Sequence, residues 1–324
     1  FKKKTSRHLY FLKSILKKNL KVKVSYFDGK IDKYNMINLL KKTGIQSVTI
    51  VGNTRLQKGE QSNSKKIAKI YSLLSSKIII GGFSKAHRKN ASNNSIVDYS
   101  KSYLSLGVSK EIQKLERWKK FSKENYIIFL GGVKKEKVNL GLGLLAKNFK
   151  IVVPSGLILN TILKQLNYQI GKSKYFRGKT HKIIKLFLKR YKSKISLPKK
   201  VIVTNFNYKK KRVCSIGSIK RNEIIGGFVL SKDLSSMISK CKKKSKILLS
   251  GTPSFTEKKI YEPTNSISKY LRKKSKNLLI LGGDSANDLR FANSTNISSG
   301  GGAALSYLAL NRLEVIDKLR SKVK

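Results

Sequence analysis

Residues Leu278 to Ser306 read LLILGGDSANDLRFANSTNISSGGGAALS, in which two short apolar runs each lead into glycines and then into a stretch with helical spacing. Glycines let the backbone approach an anion closely, and the free N–H groups at a helix start attract one. Asp284, in the first turn, adds a hard oxygen ligand for Mg²⁺. Glycine turns can also simply end strands, but the adjacent pair with an acid in one of them favours a phosphate site.

Apolar runs of the same kind recur along the chain, each followed by a turn. They are VKVSYF (22–27), VTIVGN (48–53), KIIIGG (77–82), YIIFLGG (126–132), KIVVPSG (150–156), KVIVTN (200–205), KILLSG (246–251) and LLILGGD (278–284). Continuous rather than alternating runs are typical of strands buried on both faces of a parallel sheet. Between the second and third runs, one helix face is predicted from Ile67, Ile70, Tyr71 and Leu74. The pattern predicts a doubly wound α/β fold with ligands at the carboxyl ends of the strands.

The most helical long connection runs from Ser105 to Asn125 and contains the sole tryptophan, Trp118. We expect it to be an interdomain helix, with three strands before it and five or more after it. The predicted boundary lies within it, which gives domains 1–118 and 119–305.

The charge of the chain is unusual, with 72 Lys and Arg against 16 Asp and Glu and a formal net charge of +56. A nucleic-acid partner is therefore one hypothesis. Proteins that follow a phosphate backbone usually cluster basic residues on one face, whereas the lysines here are spread through nearly every predicted helix and loop. This favours compositional drift in a nucleotide-biased genome, with non-specific polyanion binding as its consequence.

Two isolated cysteines, Cys214 and Cys241, indicate a reducing compartment without a disulfide framework. No apolar stretch approaches the ~20 residues needed to cross a bilayer. We therefore expect a cytoplasmic protein without a membrane partner. The start, FKKKTSRHLYFLKSILKK, is basic and amphipathic. Because Phe1 is not a methionine, we interpret it as a truncated or processed end rather than a targeting signal.

Two clusters of polar residues follow neighbouring strands. GNTRLQKGEQSN (52–63) contains Arg55, and GGFSKAHRKNAS (81–92) contains His87 and Arg88. The two arginines could converge on one anionic ligand; alternatively, each is solvated surface charge.

A third cluster, FLGGVKKEKVNLGLGLL (129–145), predicts a strand, a Gly-Gly turn and a helix opened by Lys134 and Lys137. Free amides and two cations there would suit a nucleotide phosphate. It is not a Walker loop, because the GxxxxGK pattern is absent.

Taken in order, these clusters resemble the motifs of the phosphoglycerate kinase family along essentially the whole chain. NTRLQKGEQSN resembles ENxRFxxGEExN, GGFSKAHRKNAS resembles DAFxxAHRAHAS, and GGVKKEKV resembles GGAKVSDKI. SGLILNTILKQLNYQIGKS is similar to GGMANTFLxAxGxxIGKS, LPKKVIVTN to LPVDVVVAD, and LLSGTPSFTE to WNGPxGxFE. LLILGGDS resembles GGGDS, and NISSGGGAALSYL resembles HISTGGGASLEFL. Eight motifs in the family's order are highly specific.

The resemblance implies two doubly wound α/β domains joined by a helix. Domain 1–118 would bind 3-phosphoglycerate or 1,3-bisphosphoglycerate, domain 119–305 would bind ADP or ATP with Mg²⁺, and segment 306–324 would return towards the N-terminal domain. The implied enzyme is a monomeric phosphotransferase with a carboxyl-group acceptor. In glycolysis it makes 3-phosphoglycerate and ATP from 1,3-bisphosphoglycerate and ADP, after hinge closure.

The family's roles transfer to matching positions. The substrate ligands would be Arg55 and Arg88, with His87 beside them. The nucleotide ligands would be Lys134, Lys137, Glu257 (ribose), Gly282, Gly283, Asp284 and Ser285, with Asp284 also on the metal. The groups acting on the transferred phosphoryl would be Arg88, Gly300, Gly301 and Gly302.

The chain also departs from the family. The DxNxP and HLGRPKG segments have no counterpart, so we expect the N-terminal domain to be truncated at its start and to lack a strand. The second histidine of AHRAH is Asn90, the asparagine of WNGP is Ser250, the first glycine of GGGD is Leu281, and DIGPKT is matched at best by GFVLSK (227–232). Three readings remain: an active kinase, a decayed kinase remnant, and a basic nucleic-acid-binding protein on an ancestral frame.

Overall fold

The computed structural model describes residues 9–119, 125–242, 245–272, 278–282 and 296–322. The chain divides into two compact units, one formed by Phe1–Lys110 with Arg312–Lys324 and the other by Glu111–Asn311. The division falls within the helix Leu106–Lys119, in the connection from which an interdomain helix was predicted. Among the described residues, no helix is both long and apolar enough to cross a bilayer.

The first unit is built from short helices and parallel strand pairs. Its elements are α1 (Phe11–Asn19), β1 (Lys23–Phe27), α2 (Lys33–Lys42), β2 (Ser47–Val51), α3 (Lys65–Ser72), β3 (Lys77–Ile80), β4 (Lys101–Leu104) and the start of α4 (Leu106–Lys119). β1 pairs with β2 and β3 with β4, both in parallel. β4 is a fourth strand where three were predicted, because its sequence KSYL is half polar and lacks a continuous apolar run.

The core of this unit lies between α2, α3 and the strands. Met36 and Ala68 are fully buried within it, next to Tyr71. The predicted face of α3 is confirmed, since Ile67, Ile70 and Leu74 pack against this cluster. Leu74 reaches the core from beyond the end of the helix at Ser72.

The second unit contains a five-stranded parallel sheet. Its elements are β5 (Asn125–Leu130), a π-helix (Lys137–Leu145), β6 (Ile151–Pro154), α5 (Gly156–Gln165), α6 (Gly178–Tyr191), β7 (Lys200–Thr204), β8 (Lys211–Ser215), β9 (Ile224–Phe228), α7 (Lys232–Ser239), β10 (Lys246–Ser250), α8 (Glu262–Arg272), β11 (Leu278–Leu281), β12 (Ile297–Ser298) and α9 (Gly301–Leu310). The strand order is β12-β11-β10-β5-β6. β10 and β11 are buried along their whole length, as predicted for strands covered on both faces.

This order places a topological switch point between β5 and β10. From β5 the chain adds β6 on one side, and later adds β10, β11 and β12 on the other. Connections leave the two central strands in opposite directions, so a crevice opens outside their carboxyl ends. A ligand site is expected there.

The strand predicted at 200–205 exists, but the prediction that it lies in a parallel sheet was wrong. β7 pairs antiparallel with β8 and with β9 in a separate three-stranded sheet. The link from β7 to β8, residues 205–210, is too short for the crossover that parallel strands require. A buried strand has the same apolar sequence pattern in a parallel and in an antiparallel sheet, so the apolar run could not predict the direction of strand pairing.

The chain's last helix, α10 (Glu314–Lys322), belongs to the first unit. Val315 N donates a hydrogen bond to Ala86 O at 3.2 Å, and Asn94 Nδ2 donates to Glu314 O at 3.3 Å. Leu319 packs against the first unit's core. The C-terminal segment is therefore part of the N-terminal fold.

Candidate functional site

The turns after β5, β6 and β10 meet at the carboxyl edge of the five-stranded sheet. Gly131 N donates to Ser250 O at 3.0 Å, and Ser155 N donates to Leu130 O at 2.8 Å. The Ser155 hydroxyl donates to Thr252 O at 3.2 Å. These bonds fix the rim of the crevice at the switch point.

Gly251 shows why this rim needs glycine. Its φ is +102°, a conformation that other residues rarely adopt, and a Cβ there would lie 2.4 Å from the carbonyl oxygen of Gly131. The turns after β5 and β10 therefore pack backbone against backbone.

The start of α9 lies beside the end of β11. A Cβ on Gly301 would lie 2.8 Å from the Cα of Gly282, and Gly282 N donates to Ser298 O at 2.9 Å. Gly300 caps the helix, Gly301 and Gly302 open it, and its first turn has no acidic residue. The free N–H groups and dipole of this helix start make it attractive to an anion. The structure thus brings Gly282 together with the glycines 300–302, whereas Gly283, Asp284 and Ser285 lie outside the described residues.

The two predicted lysines occupy different environments. Lys137 is only 8% exposed, and its Nζ donates to the Oγ of Ser250 at the end of β10. Lys134 is exposed and lies directly before the helical segment, which begins at residue 135, so both lysines lie at the helix start as predicted. Lys137 N still donates to Lys134 O at 3.1 Å, which keeps the two residues in one turn.

A small pocket lies beside these turns. Its lining comprises Gly132, Gly156, Leu159, Ile225, Gly226, Gly227, Thr252, Ser254 and Phe255. Glycine backbone and apolar side chains make up most of this lining. Glu257 is exposed in the short 3₁₀ turn Thr256–Lys258 that follows Phe255.

The described residues contain no cluster of three or more His, Cys, Asp or Glu side chains that could hold a metal ion. Asp284, the predicted metal ligand, lies outside them.

In the first unit, the two predicted polar clusters line one pocket of about 320 Å³. Asn53, Thr54 and Arg55 come from the turn after β2, and Gly81, Gly82 and Lys85 from the turn after β3. Asn90 and Ser92 complete that side. The pocket is open at the surface, and its lining combines the cationic Arg55 and Lys85 and several amide groups with the Glu60 carboxylate and apolar groups. Its cationic and amide groups are suited to a small anion.

Glu60 joins the two loops beneath this pocket. It is 2% exposed, and its carboxylate accepts hydrogen bonds from Ser92 N at 3.1 Å and from the Ser92 hydroxyl at 2.6 Å. Its main-chain oxygen accepts from Ala91 N at 2.9 Å. Burial, and then the nearby Glu60 carboxylate, raise the pKa of Tyr71 well above its usual range.

Comparison with known proteins identifies the family of the chain. Residues 2–310 match the family model described as phosphoglycerate kinase. The chain belongs to the phosphoglycerate kinase family. A phosphoglycerate kinase from Wigglesworthia glossinidia brevipalpis is 31% identical over 289 residues, which cover 85% of this chain and 71% of that protein. One from Mycoplasmoides gallisepticum is 26% identical, covering 99% of this chain and 82% of the relative.

Solved structures confirm the predicted fold. The structure of phosphoglycerate kinase from Coxiella burnetii aligns with a TM-score of 0.72 at 24% identity, covering 100% of this chain and 83% of that chain. The enzyme from Pyrococcus horikoshii OT3 aligns with a TM-score of 0.75 at 19% identity, covering 96% and 82%. The α/β phosphoglycerate kinase fold and the family resemblance are therefore both confirmed.

Within this phosphoglycerate kinase fold, the predicted substrate ligands are placed unequally. Arg55 lines the pocket of the first unit, and its N–H is fixed by the Oδ1 of Asn53 at 3.2 Å. Arg88 is exposed further along the second loop, where its Nε lies 3.4 Å from Nε2 of the half-buried His87. The structure thus brings the two loops together without bringing both arginines into the pocket lining.

Sequence analysis missed three residues that organise these sites. Asn53 and Glu60 hold the loops of the first unit, and Ser250 contacts Lys137 in the second. Glu60 had a usable signal, because it is one of only 16 acidic residues in the chain. Ser250 stood out only as a departure from the family's asparagine.

Proposed function

We propose that this chain is a Mg²⁺-dependent phosphoglycerate kinase. It transfers the acyl phosphate of 1,3-bisphosphoglycerate to ADP, giving 3-phosphoglycerate and ATP in glycolysis. We further propose that it acts as a cytoplasmic monomer. The second unit, corresponding to domain 119–305, binds the nucleotide, and the first unit, corresponding to domain 1–118, binds the phosphoglycerate.

The observation that carries the proposal is the meeting of three features at one sheet edge. The glycine turns after β5 and β10, the buried Lys137 and the glycine-rich start of α9 all belong to the carboxyl edge of the same parallel sheet. Free amides, a helix dipole and an ammonium group each stabilise phosphate oxygens. We place the nucleobase against the adjacent surface formed by Leu159, Ile225 and Phe255, where glycine backbone and apolar side chains predominate.

In this proposal the first unit holds the phosphoglycerate by its anionic groups. Arg55 and Lys85 supply positive charge at the pocket, and Asn53 keeps the Arg55 backbone in place. Arg88 and His87, on the loop after β3, act on the same substrate. Lys134 and Glu257, both exposed beside the nucleotide pocket, would contact the phosphates and the ribose.

The chemistry needs no covalent enzyme intermediate. The bond between the acyl oxygen and phosphorus breaks, a bond from the ADP β-phosphate oxygen forms, and the substrate leaves as a carboxylate. The protein contributes alignment and stabilisation of the negative charge on the transferred group. We assign that stabilisation to the N–H groups at Gly300, Gly301 and Gly302, and to Arg88.

Mg²⁺ would neutralise phosphate charge when bound with the nucleotide. We assign Asp284 as its protein ligand, with Gly283 and Ser285 beside the phosphates, from the family motif.

The test is a coupled assay of ATP formation from 1,3-bisphosphoglycerate and ADP, with and without Mg²⁺. The proposal expects Mg²⁺-dependent turnover that Asp284→Ala abolishes while the protein stays folded by circular dichroism. Folded protein that binds Mg-ADP without turnover would contradict the proposal and indicate a decayed kinase. Absence of both binding and turnover would remove the nucleotide assignment as well.

A further inference from the structure

Ser250 occupies the centre of the switch point. It is the last residue of β10, its side chain is 0% exposed, and its main-chain oxygen accepts from Gly131 N at 3.0 Å. Its hydroxyl oxygen accepts a hydrogen bond from Lys137 Nζ. One short side chain therefore connects the end of the central strand to the buried lysine.

Lys137 has a long side chain whose ammonium group must be fixed to act at a defined point. Lysine has a flexible four-carbon stem, and a buried ammonium is costly unless it is hydrogen-bonded. The side chain starts from the first residue of the π-helix, and its Nζ reaches the end of β10. The bond to Ser250 is therefore one contact that fixes where along the sheet edge the positive charge lies.

A hydroxyl is suited to this position because it can accept and donate at once. While its oxygen accepts from Lys137, its hydrogen can still be donated. The family motif WNGP has asparagine here, whose amide also combines an acceptor oxygen with donor hydrogens. Serine offers the same pair of functions in a smaller group.

We infer that Ser250 is a positioning residue for nucleotide phosphate binding, which acts by fixing the Lys137 ammonium at the switch point. The inference rests on the proposed function, because it assumes that the nucleotide phosphates bind at this edge. It adds a role for a residue at which this chain departs from its family.

The test is calorimetric titration of the full chain with Mg-ADP and, separately, with adenosine. Ser250→Ala and Ser250→Cys remove the oxygen acceptor and should each weaken Mg-ADP binding about tenfold, the loss expected for one hydrogen bond to a charged group. Ser250→Asn restores an acceptor oxygen and should stay within about threefold of the wild type. Adenosine has no phosphate, so its binding should be equal in all variants.

The matched control is Ser268→Ala. Ser268 is also buried, but its hydroxyl donates to Asn265 O within its own helix. The Ser268→Ala variant should leave Mg-ADP binding unchanged. Comparing the unfolding midpoints of the Ser250 and Ser268 variants then separates effects on stability from effects on binding.

Three results would overturn the inference. First, Ser250→Ala could bind Mg-ADP as tightly as the wild type while Lys137→Ala binds it more weakly. Lys137 would then act without help from Ser250, and the proposed function would remain intact. Second, Ser250→Ala could weaken adenosine and Mg-ADP binding equally, which would mean that Ser250 has a merely structural role. A wild-type chain that binds no Mg-ADP would overturn the inference together with the proposed function.

Discussion

Lys137 and Lys246 are the two buried lysines among the described residues. Lys137 donates to Ser250 Oγ, and Lys246 donates to the main-chain oxygen of Trp118. Burying an ammonium is costly without such partners, so each position constrains its surroundings. Exposed lysines carry no such constraint, which agrees with their even spread along the chain.

The arginines of the first unit allow a prediction for substrate binding. Arg55→Ala should raise the KM for 3-phosphoglycerate about tenfold, because it removes a charge-assisted contact. Arg88→Ala should raise this KM similarly and also lower kcat, because Arg88 is assigned to the transferred group. Mg-ADP affinity should stay unchanged, since the nucleotide ligands proposed above belong to the second unit. Steady-state kinetics in the ATP-consuming direction and calorimetry measure the two effects.

Arg320→Ala is the matched control for lost charge. Arg320 is exposed on α10 of the same unit. If it raised the KM as much as the other two variants, general electrostatic attraction would explain the effect. Equal loss of nucleotide and substrate binding in Arg55→Ala would contradict the assignment of the two units.

At the scale of elements, the strands of the second unit's parallel sheet that sequence analysis found share one property, whereas β1, β2 and β3 of the first unit are only partly buried, so burial on both faces was wrong for them. β5, β10 and β11 are continuous apolar runs, and burial on both faces requires such runs. β8 reads KRVCS and is mostly exposed, while β9 reads IIGGF, with glycines that are unfavourable in strands. Both are held by pairing with β7, a contact between distant residues that no local pattern reveals.

The start of α9 provides an element-scale prediction. In Gly301→Ala, the new methyl group would lie 2.8 Å from Gly282 Cα and must push the helix start away from β11. We expect kcat to fall about a hundredfold, comparable to the loss of one oxyanion donor. The folded state should persist, as circular dichroism can show.

Gly217→Ala is the control for this change. A Cβ at Gly217 meets nothing within 4 Å, so kcat should be unaffected. Wild-type kcat in Gly301→Ala would show that the close approach of α9 to β11 has no role in transfer.

The attachment of α10 predicts a pH dependence. Partial burial tends to raise the pKa of Asp98, but hydrogen bonds and charges from Lys318 and Lys322 outweigh it and hold that pKa below its ordinary value. A lowered folded-state pKa stabilises the fold above the unfolded carboxyl pKa, about pH 4, and this contribution disappears as pH falls through the folded value.

Asp98→Asn should therefore lower the free energy of unfolding at neutral pH by up to about 1 kcal/mol, because these pairs are partly solvated. The difference from the wild type should vanish on acidification, as urea denaturation at a series of pH values can measure. A difference that stays constant with pH would show that the carboxylate charge does not hold α10.

At the scale of the whole molecule, the net charge of +56 dominates long-range behaviour. We predict that the protein binds duplex DNA of unrelated sequences equally well, with log affinity falling linearly with log salt. Mg-ADP should not displace the DNA at physiological salt if this binding is diffuse. Sequence preference, or displacement by Mg-ADP, would favour a selected nucleic-acid site, and fluorescence anisotropy distinguishes these outcomes.

The sequence predicted the overall fold and the two sites better than the contacts within them. Motif order was sufficient for the family, and parallel topology placed the clusters at strand ends. The contacts of Glu60 with Ser92 and of Lys137 with Ser250 join residues far apart in the chain, so spacing could not reveal them. Asp284 stays a prediction from its motif.

The most direct test of the central claim is phosphorus NMR of 1,3-bisphosphoglycerate and Mg-ADP mixed with the protein. Loss of the acyl-phosphate signal should be matched by an equal gain of the ATP γ-phosphate signal, with no inorganic phosphate beyond that formed without protein. Release of inorganic phosphate with ADP unchanged, or an acyl-phosphate signal that decays only at its spontaneous rate, would contradict a phosphoglycerate kinase.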